Sequence, residues 1–229
     1  MRTERTTVRR LGERGVYDRA AIHGILDEGL VCHVGIVAGG QPFVIPMSYA
    51  RIGDRLILHG SVRSRLMQAV ETGAPVCVTV TLLDGVVLAR SLFDHSMNYR
   101  AVVVLGRAIP ITDPDRKREA LLALTEHLVP GRATDARGPS DSELKATAVL
   151  ELPLDESSAK VRTGPPGESK RDTDPGVWAG VIPLRLCADV PVPDALTDGK
   201  LELPDYARDY VAVRQRGIGQ ATPMGEPVD

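Results

Sequence analysis

Seven residues, His59-Gly60-Ser61-Val62-Arg63-Ser64-Arg65, gather an imidazole, two hydroxyls and two guanidiniums where a strand pattern ends and a helical one begins. The first turn of a helix carries unpaired N–H groups and a partial positive charge, so it attracts anions. Ser61 and Ser64 add hydroxyl donors, and Arg65 adds a planar fork that matches phosphate or carboxylate oxygens. Gly60 lets backbone approach a ligand closely. These residues alone leave two readings open: a phosphate or carboxylate site, or a capped helix start with ordinary surface arginines.

The elements that must position this stretch are mostly strands. Asp18 caps a short helix with Ile22, Ile25 and Leu26 on one face, and Gly29 supplies a C′ stop. Residues 30–38 alternate as a strand, Gly39-Gly40 makes a two-residue hairpin turn, and 41–50 return. Pro42 and Pro46 mark that second strand as interrupted or near an edge. A strand over 55–60 leads into a helix over about 62–72, with Leu66, Met67 and Val70 on one face. Residues 75–83 and 86–93 read as a further hairpin around Asp84-Gly85, and 99–111 as a long strand. Asp113-Pro114 opens an amphipathic helix whose Leu121, Leu122 and Leu124 point to the core; it reads as a packing element. Ser140 and Glu143 form a capping box before the last core strand, 147–154. About six strands joined by hairpins predict a mainly β fold, an antiparallel sheet closing on itself with peripheral helices. The expected organisation is an arm over 1–17, one domain over 18–186 with a wrapping extension from about 155, and a Pro-rich tail over 187–229.

Composition narrows the function. A chain of 229 residues can bury one large core, and with aromatics at 3% that core rests on Val, Leu, Ile and Ala. The net charge of -2 gives no long-range attraction for nucleic acid or an anionic membrane. Cys32, Cys77 and Cys187 are odd in number and widely spaced, which suits free thiols in a reducing cytoplasm and excludes a metal site built on them. No run reaches the ~20 apolar residues of a membrane helix. A P-loop, a dinucleotide fingerprint, HExxH and a nucleophile elbow are all missing.

The order of these segments resembles the FMN-binding split β-barrel proteins, within them the pyridoxamine 5′-phosphate oxidase-related group that includes nitroimidazole-resistance proteins. The resemblance spans about 16–186. It rests most on Leu58-His59-Gly60-Ser61-x-x-Ser64-Arg65 and on Tyr99-Arg100-x-Val102-Val103-Val104-x-Gly106-x-Ala108. It implies an FMN whose ring lies beside Ile45, Pro46, Met47 and Ser48. Its ribityl phosphate would lie at His59, Gly60, Ser61, Ser64 and Arg65. It also implies a homodimer with flavin sites at the subunit interface, Trp178 reaching the partner's flavin. The oxidases have a lysine where Leu66 stands, a glutamine where Ala101 stands, and a substrate lysine where Tyr49 stands. Pyridoxamine phosphate oxidation is therefore not implied.

Further candidates follow from the residues. His59 could donate a proton near the flavin or simply pack against it, and His59, His33 and His95 are the possible axial ligands of a haem. Tyr49, Arg100, Lys160 and Arg162 are the candidate substrate contacts. Lys160 and Arg162 share a face if extended, suiting an anionic substrate or a partner's flavin, unless they only solvate an edge. The expected function is an FMN-dependent oxidoreductase passing electrons from a reduced donor to a small electron-poor acceptor. The alternatives are a non-catalytic flavin sensor, and a barrel holding haem or a deazaflavin.

Overall fold

The computed structural model describes residues 2–167 and 176–215, so the middle of the expected extension (168–175) and the end of the tail (216–229) lie outside the described residues. The elements are β1 (Gly15–Val16), α1 (Arg19–Glu28), β2 (Val31–Ala38), β3 (Gln41–Ile52), β4 (Arg55–Ser61), α2 (Arg65–Glu71), β5 (Val76–Leu88) and β6 (Ser96–Gly106). They continue with β7 (Ile109–Pro110), α3 (Pro114–Leu128), α4 (Asp141–Ala146), β8 (Thr147–Pro153), β9 (Ser157–Arg162), β10 (Gly180–Pro183) and α5 (Asp205–Gln215). The strands run β1-β9-β6-β5-β2-β3-β4-β8-β7, with β10 added beside β5. Neighbours pair antiparallel throughout, as the hairpin connections require.

The sheet divides along β3. From Gln41 to Ser48 this strand pairs with β2, and from Tyr49 to Ile52 it pairs with β4. Pro42 and Pro46 fall in the first stretch, which has a partner on one side only among the described residues; there a missing N–H costs no ladder bond. Both prolines sit inside one unbroken strand.

Alternation sorts the side chains into two layers. Val34, Leu56, Leu58, Val78, Val102, Val104, Leu150 and Leu152 face the barrel interior, where α1 contributes Ile22, Ile25 and Leu26 and α2 contributes Leu66, Met67 and Val70. The intervening residues Ala50, Ile57 and Val149 face outward beneath Ala120 and Leu124 of α3. Glu151 shares that outer face; it is buried and accepts from Arg55 at 2.5 Å and Arg116 at 2.9 Å.

Three local expectations change. Asp84-Gly85 is no hairpin turn: β5 runs through it with a bulge, and its hairpin partner β6 begins only at Ser96. Arg100 holds the Asp84 carboxylate from one side, and β10 pairs along Gly85–Leu88 from the other. A Cβ at Gly85 would lie 2.8 Å from Val181 Cγ1, so the glycine serves a close strand approach. Gly29 has φ of -73°, not the left-handed value of a C′ glycine; a Cβ there would strike Val80 and the Tyr49 hydroxyl. The helix expected from 62 begins at Arg65, because Ser64 is its N-cap and accepts from Met67 N at 3.2 Å.

Candidate functional site

The point where β3 leaves β4 is also where the chemistry collects. Tyr49 pairs with Leu58, and one step beyond this last pair Ser48 and His59 stand on diverging strands. Both line a cavity of about 1000 Å³. Its opposite wall is α3, through Leu121, Leu122 and Leu128, and the loop leading to α4. His59 is half-buried, its Nδ1 is buried with no hydrogen-bond partner, and burial lowers its pKa from the ordinary 6.5. It is therefore a neutral imidazole at pH 7, the form that ligates a metal.

The anion-attracting stretch lies just beyond. The Arg65 guanidinium stacks on the Phe43 ring at 4.1 Å from the centroid, and Arg65 has no carboxylate partner among the described residues. Stacking fixes its plane while leaving its N–H donors to solvent or a ligand. Both serine oxygens already accept from backbone: Ser61 Oγ from Arg63 N at 3.2 Å, and Ser64 Oγ from Met67 N at 3.2 Å. Each keeps a hydroxyl hydrogen to donate. The α2 helix has 7 residues, so its dipole adds little, and the guanidinium and hydroxyls are the groups with donors to offer an anion. Gly60 owes its place to the core, since a Cβ there would meet Met67 Cε at 2.8 Å.

Along β3, Phe43, Ile45 and Met47 turn toward the core, while Val44 and Pro46 are exposed on the one-sided stretch. The expected site residues thus gather near the fork but on both faces of β3: Ile45 and Met47 face inward on the same side as Phe43, against which Arg65 stacks, whereas Ser48 and His59 line the cavity under α3. Trp178 is 66% exposed beside β10 and lines neither the cavity at His59 nor the cleft at Arg162.

The expected substrate contacts do not join this group. Tyr49 is fully buried and donates to the Leu26 carbonyl at 2.6 Å, which makes it a core residue. Arg100 is held between Glu28 and Asp84, a strut from α1 to the β5 bulge. Lys160 donates to the Arg10 carbonyl at 3.1 Å, and Arg162 is buried in a second cleft. Of the three histidines weighed as haem ligands, His33 and His95 are exposed on the surface, and His95 Nδ1 lies 2.9 Å from the Ser91 carbonyl. Only His59 faces the large cavity.

Sequence reasoning missed the cavity's far wall. Read as a packing helix, α3 buries Ala120 and Leu124, but Leu122 is exposed and lines the opening. The adjoining loop is folded by charge. Glu126 accepts from Gly131 N at 2.7 Å and Ala133 N at 3.0 Å, which lowers its pKa, and Arg132 and Arg137 pair with Asp135 and Glu143 at 2.9 and 2.7 Å. From α5, Tyr206 donates to Asp135 at 2.9 Å and packs on Gly131, whose φ is +89°. The one signal was an arginine, acid and glycine-rich stretch too long for a simple turn.

The comparisons with known proteins bear on the family and the fold. A family model described as pyridoxamine 5′-phosphate oxidase matches residues 18–161. The curated proteins give no match. Among solved structures, the flavocytochrome Anf3 from Azotobacter vinelandii superposes with a TM-score of 0.86 at 40% identity, over 90% of this chain and 96% of that one. The FAD and haem binding protein from Mycobacterium smegmatis gives 0.83 at 35% identity, over 86% and 97%. A protein assigned to 5-nitroimidazole antibiotic resistance in Bacteroides thetaiotaomicron gives 0.54 at 27%, over 64% and 86%. A sheet that forks at Ser48 and His59, a serine–arginine turn after the fork and a family match across both place the chain in the pyridoxamine 5′-phosphate oxidase family.

Proposed function

We propose that this chain is a redox flavoprotein, with a flavin along the one-sided stretch of β3 and its ribityl phosphate at Ser61, Ser64 and Arg65. The observation that carries it is Arg65, stacked on Phe43 with no carboxylate partner among the described residues, next to two serine hydroxyls. We read the flavin as FAD, the form named for the mycobacterial relative, in place of the FMN expected from sequence; both present the same first phosphate. A second copy of the chain would bring Trp178 to the flavin. The exposed Val31, Val37 and Val44 on β2 and β3 favour such a homodimer.

A second cofactor has its own supporting observation. His59, a neutral imidazole lining a cavity of about 1000 Å³ walled by leucines and rimmed by arginines, suits haem. Two relatives, the flavocytochrome and the FAD and haem binding protein, are named for such a pair. His59 would ligate the iron and the leucines would exclude water. When bound, a flavin exchanges one or two electrons and a haem exchanges one. The activity proposed is electron transfer from a reduced donor to a small acceptor through these groups.

The test is an absorption spectrum of the purified protein, with mass analysis of what acid releases and light scattering for its size. Flavin bands plus a Soret band, with FAD released from a dimer, are expected. Release of FMN would return the reading to the smaller flavin. A colourless protein that binds neither flavin nor haem on titration would end it. Bound flavin that no donor reduces would favour the sensor alternative.

A further inference from the structure

We propose that the cleft between the start of β1 and the end of β9 is an oxyanion-binding site, distinct from the fork at His59. It is an open cavity of about 340 Å³, lined among others by Arg14, Arg162 and Thr163. That volume admits a phosphate, a pyrophosphate or a small carboxylate.

The central observation is Arg162, a residue only 8% exposed whose partners among the described residues are all neutral. Its Nη1 donates to Asn98 Oδ1, and its Nη2 donates to the Pro165 carbonyl at 3.1 Å. Asn98 is in turn fixed by donating to the Gly164 carbonyl at 3.1 Å. Gly164, at φ +90°, turns the chain so that these carbonyls face the guanidinium. The arrangement orients the cation without neutralising it, and a buried charge is costly unless paired.

A second cation stands in the same cleft. Gly15 pairs with Lys160, so Arg14 continues the ladder toward Arg162. The two guanidiniums repel, and Arg162 has its pKa lowered first by burial and then by Arg14. The one carboxylate on the cleft among the described residues, Glu13, is largely exposed and comes no nearer to Arg14 Nε than 4.0 Å. Two forked donors in one cleft, one of them preset by neutral acceptors, are what a phosphate or carboxylate group requires. Such a group could belong to a free substrate or to a cofactor extending from a second copy of the chain.

The test is calorimetric titration of the purified, cofactor-loaded protein with pyrophosphate and with malonate at low salt. Wild type is compared with Arg14→Gln and Arg162→Gln, and cofactor content is measured in each. Arg162→Gln disturbs a buried residue, so Arg14→Gln, at a more accessible position, is the deciding variant if the first fails to fold. Saturable binding by wild type that weakens at least fivefold in Arg14→Gln, with cofactor retained, supports a free-anion site. Loss of cofactor from folded Arg14→Gln, with no probe bound by wild type, supports the same site filled by the cofactor's phosphate. Wild-type affinity and wild-type cofactor content in Arg14→Gln would overturn the proposal. Arg65→Ala, at the other site, reports separately on the flavin reading.

Discussion

The two clefts of this chain use arginine in opposite ways. Around the large cavity Arg118, Arg132 and Arg137 each hold a carboxylate, from Asp141, Asp135 and Glu143. In the small cleft Arg162 has neutral acceptors, and at the fork Arg65 has an aromatic face. A paired guanidinium has spent its charge on the fold and builds a wall. One that is oriented yet uncompensated keeps its charge for something else. The count of arginines near a cavity therefore says little; their partners say which are structural.

That contrast can be broken by removing one member of each class. The largest effect should come from Arg65→Ala, which should weaken flavin binding by about 1.5–3 kcal/mol, the range for a hydrogen bond to a charged group. Its denaturant midpoint without flavin should stay at the wild-type value; an unchanged flavin affinity would remove Arg65 from the site. Glu151→Ala should do the reverse. It frees Arg55 and Arg116 above a buried position, and because both are half in water the loss of stability should be about 1–2 kcal/mol. A shifted urea midpoint with unaltered flavin affinity checks it.

Ser64→Ala sits between the classes. Loss of its cap to Met67 N should destabilise α2 by about 1 kcal/mol and reduce flavin affinity less than Arg65→Ala does. Equal loss of affinity in both would mean that the hydroxyl, more than the guanidinium, holds the phosphate. The smallest effect is acid sensitivity of the paired class. Arg137, with help from Ser140, holds the Glu143 carboxyl well below its ordinary 4.5. A depressed folded value means the unfolded chain binds the proton first, so this contribution is complete above about pH 4.5 and fades as pH falls further. Arg137→Gln should flatten the stability–pH curve below pH 4.5, and an unchanged curve would show that the pair carries no such linkage.

Where local chemistry decided the structure, the sequence was sufficient. Asp18, Asp113 before Pro114, and the Ser140–Glu143 capping box start helices as their types demand. The β2–β3 hairpin at Gly39-Gly40 and the free-edge prolines followed from the same kind of signal. Misreadings arose where a distant partner overrode a local cue. Asp84-Gly85 has turn chemistry, but Arg100 and β10 hold it straight. Tyr49 lies one residue from a site residue, yet the period of two sends its ring inward to the Leu26 carbonyl. In α3 the leucines that look like core are divided between the sheet and the cavity, and nothing local says which. Arg162 was legible as a candidate anion contact, but Arg14 was not, because their meeting depends on β1 finding β9.

That pairing also sets an order in time. The fork is assembled by consecutive strands joined by short turns, whereas the β1–β9 region joins residues 150 positions apart, as the Lys160–Arg10 bond records. Closing so long a loop costs more entropy before any contact rewards it, and such contacts slow folding. A refolding chain should protect the amides of β3 and β4 from exchange before those of β1 and β9. The β3–β4 side of the fork then forms before the β1–β9 cleft, so a chain caught partway through refolding holds the first in place while the second is still unbuilt.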